Sequence, residues 1–229
     1  MGSQTTTGAA VGSADPRSAA VTFITTEHFT LQGARAATIA ESTGRATMFL
    51  GSVSAGLVAL GLIATATHIG APFYAFGVIL LATLSFVGFV TFERVLQSGL
   101  EDHGYAQRIA RLRAFYFDQA PEITGYLVSV PPPQRLSIQG LDTGYWRGFR
   151  TIAGMVGVVT AVLAGSGAGL IAADATDHSA VAGFATGGVV ALATVVALMR
   201  LQNSAWRQIR QHPYFDCQQL SMPQIDSQQ

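Results

Sequence analysis

The chain has 229 residues, 49% of them hydrophobic and only 11% charged. Soluble domains carry about 25% charged residues, so this composition excludes an ordinary water-soluble globule. Thirteen basic and thirteen acidic residues cancel, which excludes a global electrostatic pull on nucleic acid or on acidic substrates.

Every basic residue is arginine, a bias that reads as codon usage rather than as function. Cys217 is alone, so neither an intrachain disulfide nor a cysteine metal cluster is available. Met1–Ala20 is built of Gly, Ser, Thr and Ala and lacks the charged start and apolar core of a secretory signal. With nothing to bury, a disordered N-terminus over 1–25 is the expectation. A lead-in helix follows over 26–45. Thr25 or Thr26 is the expected cap, Glu27 sits in the first turn, and Glu41 stands one helical turn before Arg45.

Ala46–Ala66 contains no ionisable side chain, and as a helix it spans roughly 30 Å, the hydrocarbon thickness of a bilayer. Three similar stretches follow at Phe73–Phe92, Thr151–Ala173 and Ala180–Met199. The connection Thr67–Pro72 permits only a tight antiparallel hairpin, and Asp174–Ser179 joins the second pair in the same way. The fold class is therefore an all-α integral membrane protein, a four-helix bundle made of two transmembrane hairpins over 46–93 and 150–200.

Between the hairpins lies a cytoplasmic connector, 94–149. Leu96, Leu100, Tyr105, Ile109, Leu112 and Tyr116 continue one apolar helical stripe, with Gly99 and Gly104 as possible kinks. A short helix is expected over Ala120–Val130, stopped by Pro131-Pro132-Pro133. Tyr145-Trp146, Arg147, Phe149 and Arg150 make an aromatic and basic belt before the third span. After Arg200 a short helix carrying Arg207 and Arg210 ends near Pro213, and the tail 201–229 frays towards Gln229.

All thirteen arginines flank the inner ends of the spans and none lies in the two short turns. That asymmetry predicts both termini in the cytoplasm of a multi-pass plasma (inner) membrane protein. The near-equal spacing of Arg45 to Arg94 and Arg150 to Arg200 raises an internal duplication as an alternative to chance similarity.

Chemistry is sparse. The spans hold no Asp, Glu, His, Arg or Lys, which argues against an ion-coupled pump or an intramembrane enzyme. Ser52, Ser54, Thr65, Thr83, Ser85, Thr91, Thr160, Ser166, Thr186 and Thr194 are the hydroxyls available to line a path, or to bond back to their own helices. Small residues recur one turn apart at Ser52 and Gly56, at Ala161, Gly165 and Gly169, and at Gly183 and Gly187. Such faces serve close helix packing or an oligomer interface.

His68, Asp174, Asp177 and His178 would suit a cation or a proton-sensing cluster if the two turns met. Glu101-Asp102-His103 point in different directions on a helix and make no acid–base site. Arg108, Arg111, Arg113, Arg147 and Arg150 are candidates for lipid headgroups, and Arg207 and Arg210 share that chemistry. No nucleophile–base motif, nucleotide fingerprint or metal motif is present, and no cofactor is implied. The expected function is a non-catalytic oligomeric scaffold or effector that binds a cytoplasmic protein partner through its cytoplasmic helices, with no nucleic-acid role. The alternative is a small channel or facilitator with a Ser/Thr- and Gly-lined path.

Overall fold

The computed structural model of the protein describes residues 16–67, 69–119 and 151–211. Among these residues the chain is helical, with no strand. It forms α1 (Pro16–Thr67), α2 (Ala71–Gln119), α3 (Ile152–Ala175) and α4 (Ala180–Gln211). Each helix contains a stretch long and apolar enough to cross a membrane.

α1 begins ahead of the expected cap, so residues 16–25 extend it rather than belonging to a disordered N-terminus. The reason is visible at the two threonines. Thr25 Oγ1 donates to the Val21 carbonyl at 2.8 Å and Thr26 Oγ1 to that of Thr22 at 2.9 Å. Both hydroxyls serve the preceding turn of a helix already under way, and Pro16 is tolerated where a helix starts. α2 runs unbroken through Gly99 and Gly104, and α4 continues past Arg200 as the same helix rather than starting a new one. The expectations for Ala120–Val130, the proline spacer, Tyr145–Arg150, His68 and the tail beyond Gln211 lie outside the described residues, as do residues 1–15.

The helices form an open row in chain order. α1 packs on α2, α2 on α3, and α3 on α4, whereas no Cα of α1 comes within 8 Å of α4 among the described residues. The row is thickest where Ala46, Phe49 and Val53 of α1 meet Phe92 and Val95 of α2. Val156 of α3 and Leu198 of α4 close the same cluster from the other side. Phe92 and Val156 are 1% exposed, and truncating such a phenylalanine costs about 3–5 kcal/mol in a packed core. Two glycines of α2 let its neighbours close in. A Cβ on Gly88 would collide with the Thr160 hydroxyl of α3 and lie 2.8 Å from the Phe49 ring of α1. One on Gly77 would lie 2.9 Å from Leu170 of α3 and 3.3 Å from Leu60 of α1.

The connections are tight. Gly70 N donates to Thr67 O at 3.1 Å, with Ile69 at φ 58, a left-handed conformation unusual for a β-branched residue. α3 ends with His178 N donating to Ala173 O at 2.8 Å and Asp177 at φ 48, the six-to-one closure of a Schellman end. Thr151 caps the start of α3, its hydroxyl accepting from Gly154 N at 3.0 Å and from the buried Gln202 Nε2 of α4 at 3.3 Å.

Candidate functional site

Two regions gather the residues singled out by the sequence. The first is the contact between α3 and α4. Its small residues face one another inside the chain: a Cβ on Gly169 would stand 2.8 Å from the Gly183 carbonyl oxygen, and one on Gly187 2.8 Å from that of Gly165. Ala161, on the same face of α3, is fully buried. Backbones this close leave no room for side chains and exchange dispersion contacts along the whole face. Gly56 instead turns to α2, where its Cβ would meet Leu84 at 2.9 Å and Leu80 at 3.4 Å. Ser52 is exposed on the outside of α1, its hydroxyl donating to the Met48 carbonyl at 2.9 Å. Ser52 and Gly56 are therefore not one buried face. The two helix pairs differ in kind, since α1 and α2 interlock through large side chains and α3 and α4 through bare backbone.

The second region is the part of α1 and α2 beyond the apolar stretch. α1 has 52 residues and α2 has 49, or roughly 78 and 74 Å at about 1.5 Å per residue. Leu31 of α1 and Ala106 and Ile109 of α2 stay buried well outside the ionisable-free stretches, and Ser42 one turn outside them, so the two helices remain paired there. Arg35 Nε donates to Asp102 Oδ1 at 2.6 Å and Arg35 Nη2 to Oδ2 at 3.3 Å, a forked pair across the two helices. Nearer the spans, Glu41 takes Arg45 at 2.9 Å and Arg94 at 3.7 Å. Glu101 is exposed, Asp102 faces α1, and the His103 ring lies edge-on to Trp206 of α4 at 5.6 Å. The trio therefore serves three different surroundings.

Among the arginines proposed for headgroups, Arg108 sits over the Tyr105 ring at 5.9 Å and Arg111 is exposed. Arg113 is half-buried. Burial, and then the Arg113 charge, hold the His28 imidazole below its usual pKa. Arg147 and Arg150 lie outside the described residues. Tyr74, in the first turn of helix α2, stacks on His178 of the α3–α4 connection with ring centroids 5.1 Å apart. Among the described residues, no three His, Cys, Asp or Glu side chains are grouped to hold a metal ion.

Four of the hydroxyls bond back to their own helices. Ser54 donates to the Leu50 carbonyl, Thr83 to that of Ile79, Thr160 to that of Val156 and Thr194 to that of Val190. Ser54 and Thr83 are exposed on different helices, while Thr160 is buried against Gly88. Sequence reasoning overlooked Gly77 and Gly88. They stand eleven residues apart, three helical turns, and a search for small residues one turn apart passes over them.

Compared with protein-family models, with curated proteins and with solved structures, the chain matches none.

Proposed function

We propose that the protein is a non-catalytic scaffold or effector of the plasma (inner) membrane. Its four helices cross the bilayer as two hairpins, with both termini cytoplasmic and the chain working as a homo-oligomer. The paired extensions of α1 and α2 reach past the bilayer and hold a cytoplasmic protein partner. One observation carries this reading: α1 and α2 are more than twice the length a bilayer requires and remain paired beyond their apolar stretches. A pair of that length makes an arm that can hold a partner away from the apolar stretches. On the arm, Phe23 is 78% and Phe29 67% exposed, aromatic side chains of the kind that anchor protein interfaces.

The test is photocrosslinking in cells from positions 26 and 30, exposed beside Phe23 and Phe29. A discrete protein adduct, lost when Phe23→Ser and Phe29→Ser are combined and independent of membrane insertion, supports the arm as the binding element. Adducts to lipid alone, or none, overturn it. Reconstitution in liposomes separates the channel reading. Steady conductance that changes with Ser54→Ala or Thr194→Ala would replace the scaffold with a pore.

A further inference from the structure

We infer that the outward face of α4 binds an anionic phospholipid of the cytoplasmic leaflet, with an acyl chain along Val189, Leu192 and Val196 and the phosphate held by Arg200 and Arg207. The inference rests on the membrane reading above, in which α4 crosses the bilayer and ends in the cytoplasm.

α4 spends one face on α3, through Gly183, Gly187 and Leu198. Val189, Leu192, Val196, Arg200 and Arg207 recur at steps of three, four and seven, so they share the opposite side. The first three are 68%, 66% and 43% exposed, and α1, the far end of the row, does not approach them. From Val189 to Arg200 the axis rises roughly 16 Å, about half the thickness of the hydrocarbon core. An acyl chain lying on this face therefore brings its phosphate to the depth of Arg200.

Charge singles out this end of the molecule. In the α1–α2 pair, Arg35, Arg45 and Arg94 each meet a carboxylate. α4 contains no Asp or Glu at all. Among the described residues neither Arg200 nor Arg207 reaches a carboxylate, and the Arg207 Nε donates to the Asn203 carbonyl at 3.3 Å. Guanidinium groups match phosphate oxygens in pairs, and the seven-residue step places the two about 10 Å apart along the axis, within joint reach of one headgroup. A soluble phosphate would use the arginines and ignore the valines and leucine. A zwitterionic lipid would use the apolar stripe and gain little from the arginines. Only an anionic lipid uses both.

The full chain, purified in neutral detergent, is titrated with phosphatidylglycerol, phosphatidylcholine and inorganic phosphate, and bound species are read by native mass spectrometry. Phosphatidylglycerol is expected to be retained over phosphatidylcholine. Arg200→Gln with Arg207→Gln should weaken phosphatidylglycerol binding about 25-fold, about fivefold per arginine, and leave phosphatidylcholine unchanged. Arg200→Lys with Arg207→Lys should keep most of the preference, and Arg45→Gln, in the α1–α2 pair, should keep all of it. Leu192→Ala with Val196→Ala should weaken both lipids, and the unchanged phosphatidylcholine retention of the arginine variants guards against their misfolding. Equal retention of the two lipids, a glutamine variant that binds as the wild type, or equal competition by inorganic phosphate would each overturn the site. Extraction of the chain from membranes by alkaline carbonate would overturn the membrane reading instead, a result distinct from retention without lipid preference.

Discussion

Gly165 and Gly187 meet backbone to backbone: a Cβ built on Gly165 would stand 2.5 Å from the Gly187 carbonyl oxygen. The obstacle is main chain, so the helices themselves must move to admit a methyl group. Gly165→Ala is expected to lower stability by about 1–3 kcal/mol, the usual cost of overfilling a packed contact. Gly188→Ala is the control. It lies one residue further along α4, where a Cβ meets nothing within 4 Å, and better helix propensity should raise stability by up to about 1 kcal/mol. Thermal unfolding in detergent reads both. Equal effects of the two substitutions would mean that the α3–α4 contact is not this close in solution.

The Arg35–Asp102 fork predicts a charge-reversal rescue. Side-chain exposures of 35% and 27% leave the pair partly screened, so each single loss should cost no more than about 1 kcal/mol. Arg35→Asp alone sets two carboxylates together and should open the arm, read as faster proteolysis between the exposed Phe23 and the start of the first span. Adding Asp102→Arg should restore protection, and the restoration should weaken as salt is raised. A double variant no better protected than the single would show that the two helices are not paired at this level.

His28 makes the outer part of the arm sensitive to acid. Its pKa is lowered in the folded chain by burial and by Arg113, so the unfolded or separated state binds the proton more readily. Stability at this site is therefore fully present above the ordinary histidine pKa of about 6.5 and is lost as pH falls from there through the lowered value. Protection factors around Thr25–Leu31, corrected for the base-catalysed intrinsic rate, should fall between about pH 7 and 5, and His28→Gln should flatten that dependence. Protection that rises on acidification would contradict the sign of the shift.

What was legible in the sequence follows from which forces act along one helix and which act between helices. Exclusion of charge is written residue by residue, so the four apolar stretches could be read directly from Ala46–Ala66 and its three counterparts. The small faces at Gly165 and Gly183 were equally plain, because one-turn spacing is a property of a single helix. Neighbour relations were not. Nothing in the periodicity of α1 says that Arg35 will find Asp102, sixty-seven positions away, or that α1 and α4 will stay apart. The start of α1 was misplaced because Thr25 and Thr26 have the composition of a cap. Their hydroxyls serve equally well as donors to carbonyls one turn back, and only the conformation of the preceding residues decides between the two roles. Gly77 and Gly88 were missed because their meaning depends on Phe49, Leu60, Thr160 and Leu170, which belong to two other helices.

The orientation proposed for the chain leads to a cysteine scan along one helix. With Cys217 replaced by serine, Ile69→Cys and Asp177→Cys, both in exposed turns, should react with an impermeant maleimide on intact cells. Phe23→Cys, 78% exposed at the other end of α1, should react only after the membrane is opened. The arm adds a second, length-sensitive expectation. Gly33 and Ala40 are exposed on α1 outside the ionisable-free stretch, and Gly51 and Val58 are exposed within it. Cysteines at the first two should label once the cytoplasmic side is accessible, and at the latter two they should resist from either side, because thiolate formation in hydrocarbon is disfavoured. Labelling that continues uniformly through Gly51 and Val58 would place α1 in water along its whole length. Labelling of Phe23→Cys on intact cells would turn the molecule over, and would leave the thirteen arginines on the side of the membrane that such residues avoid.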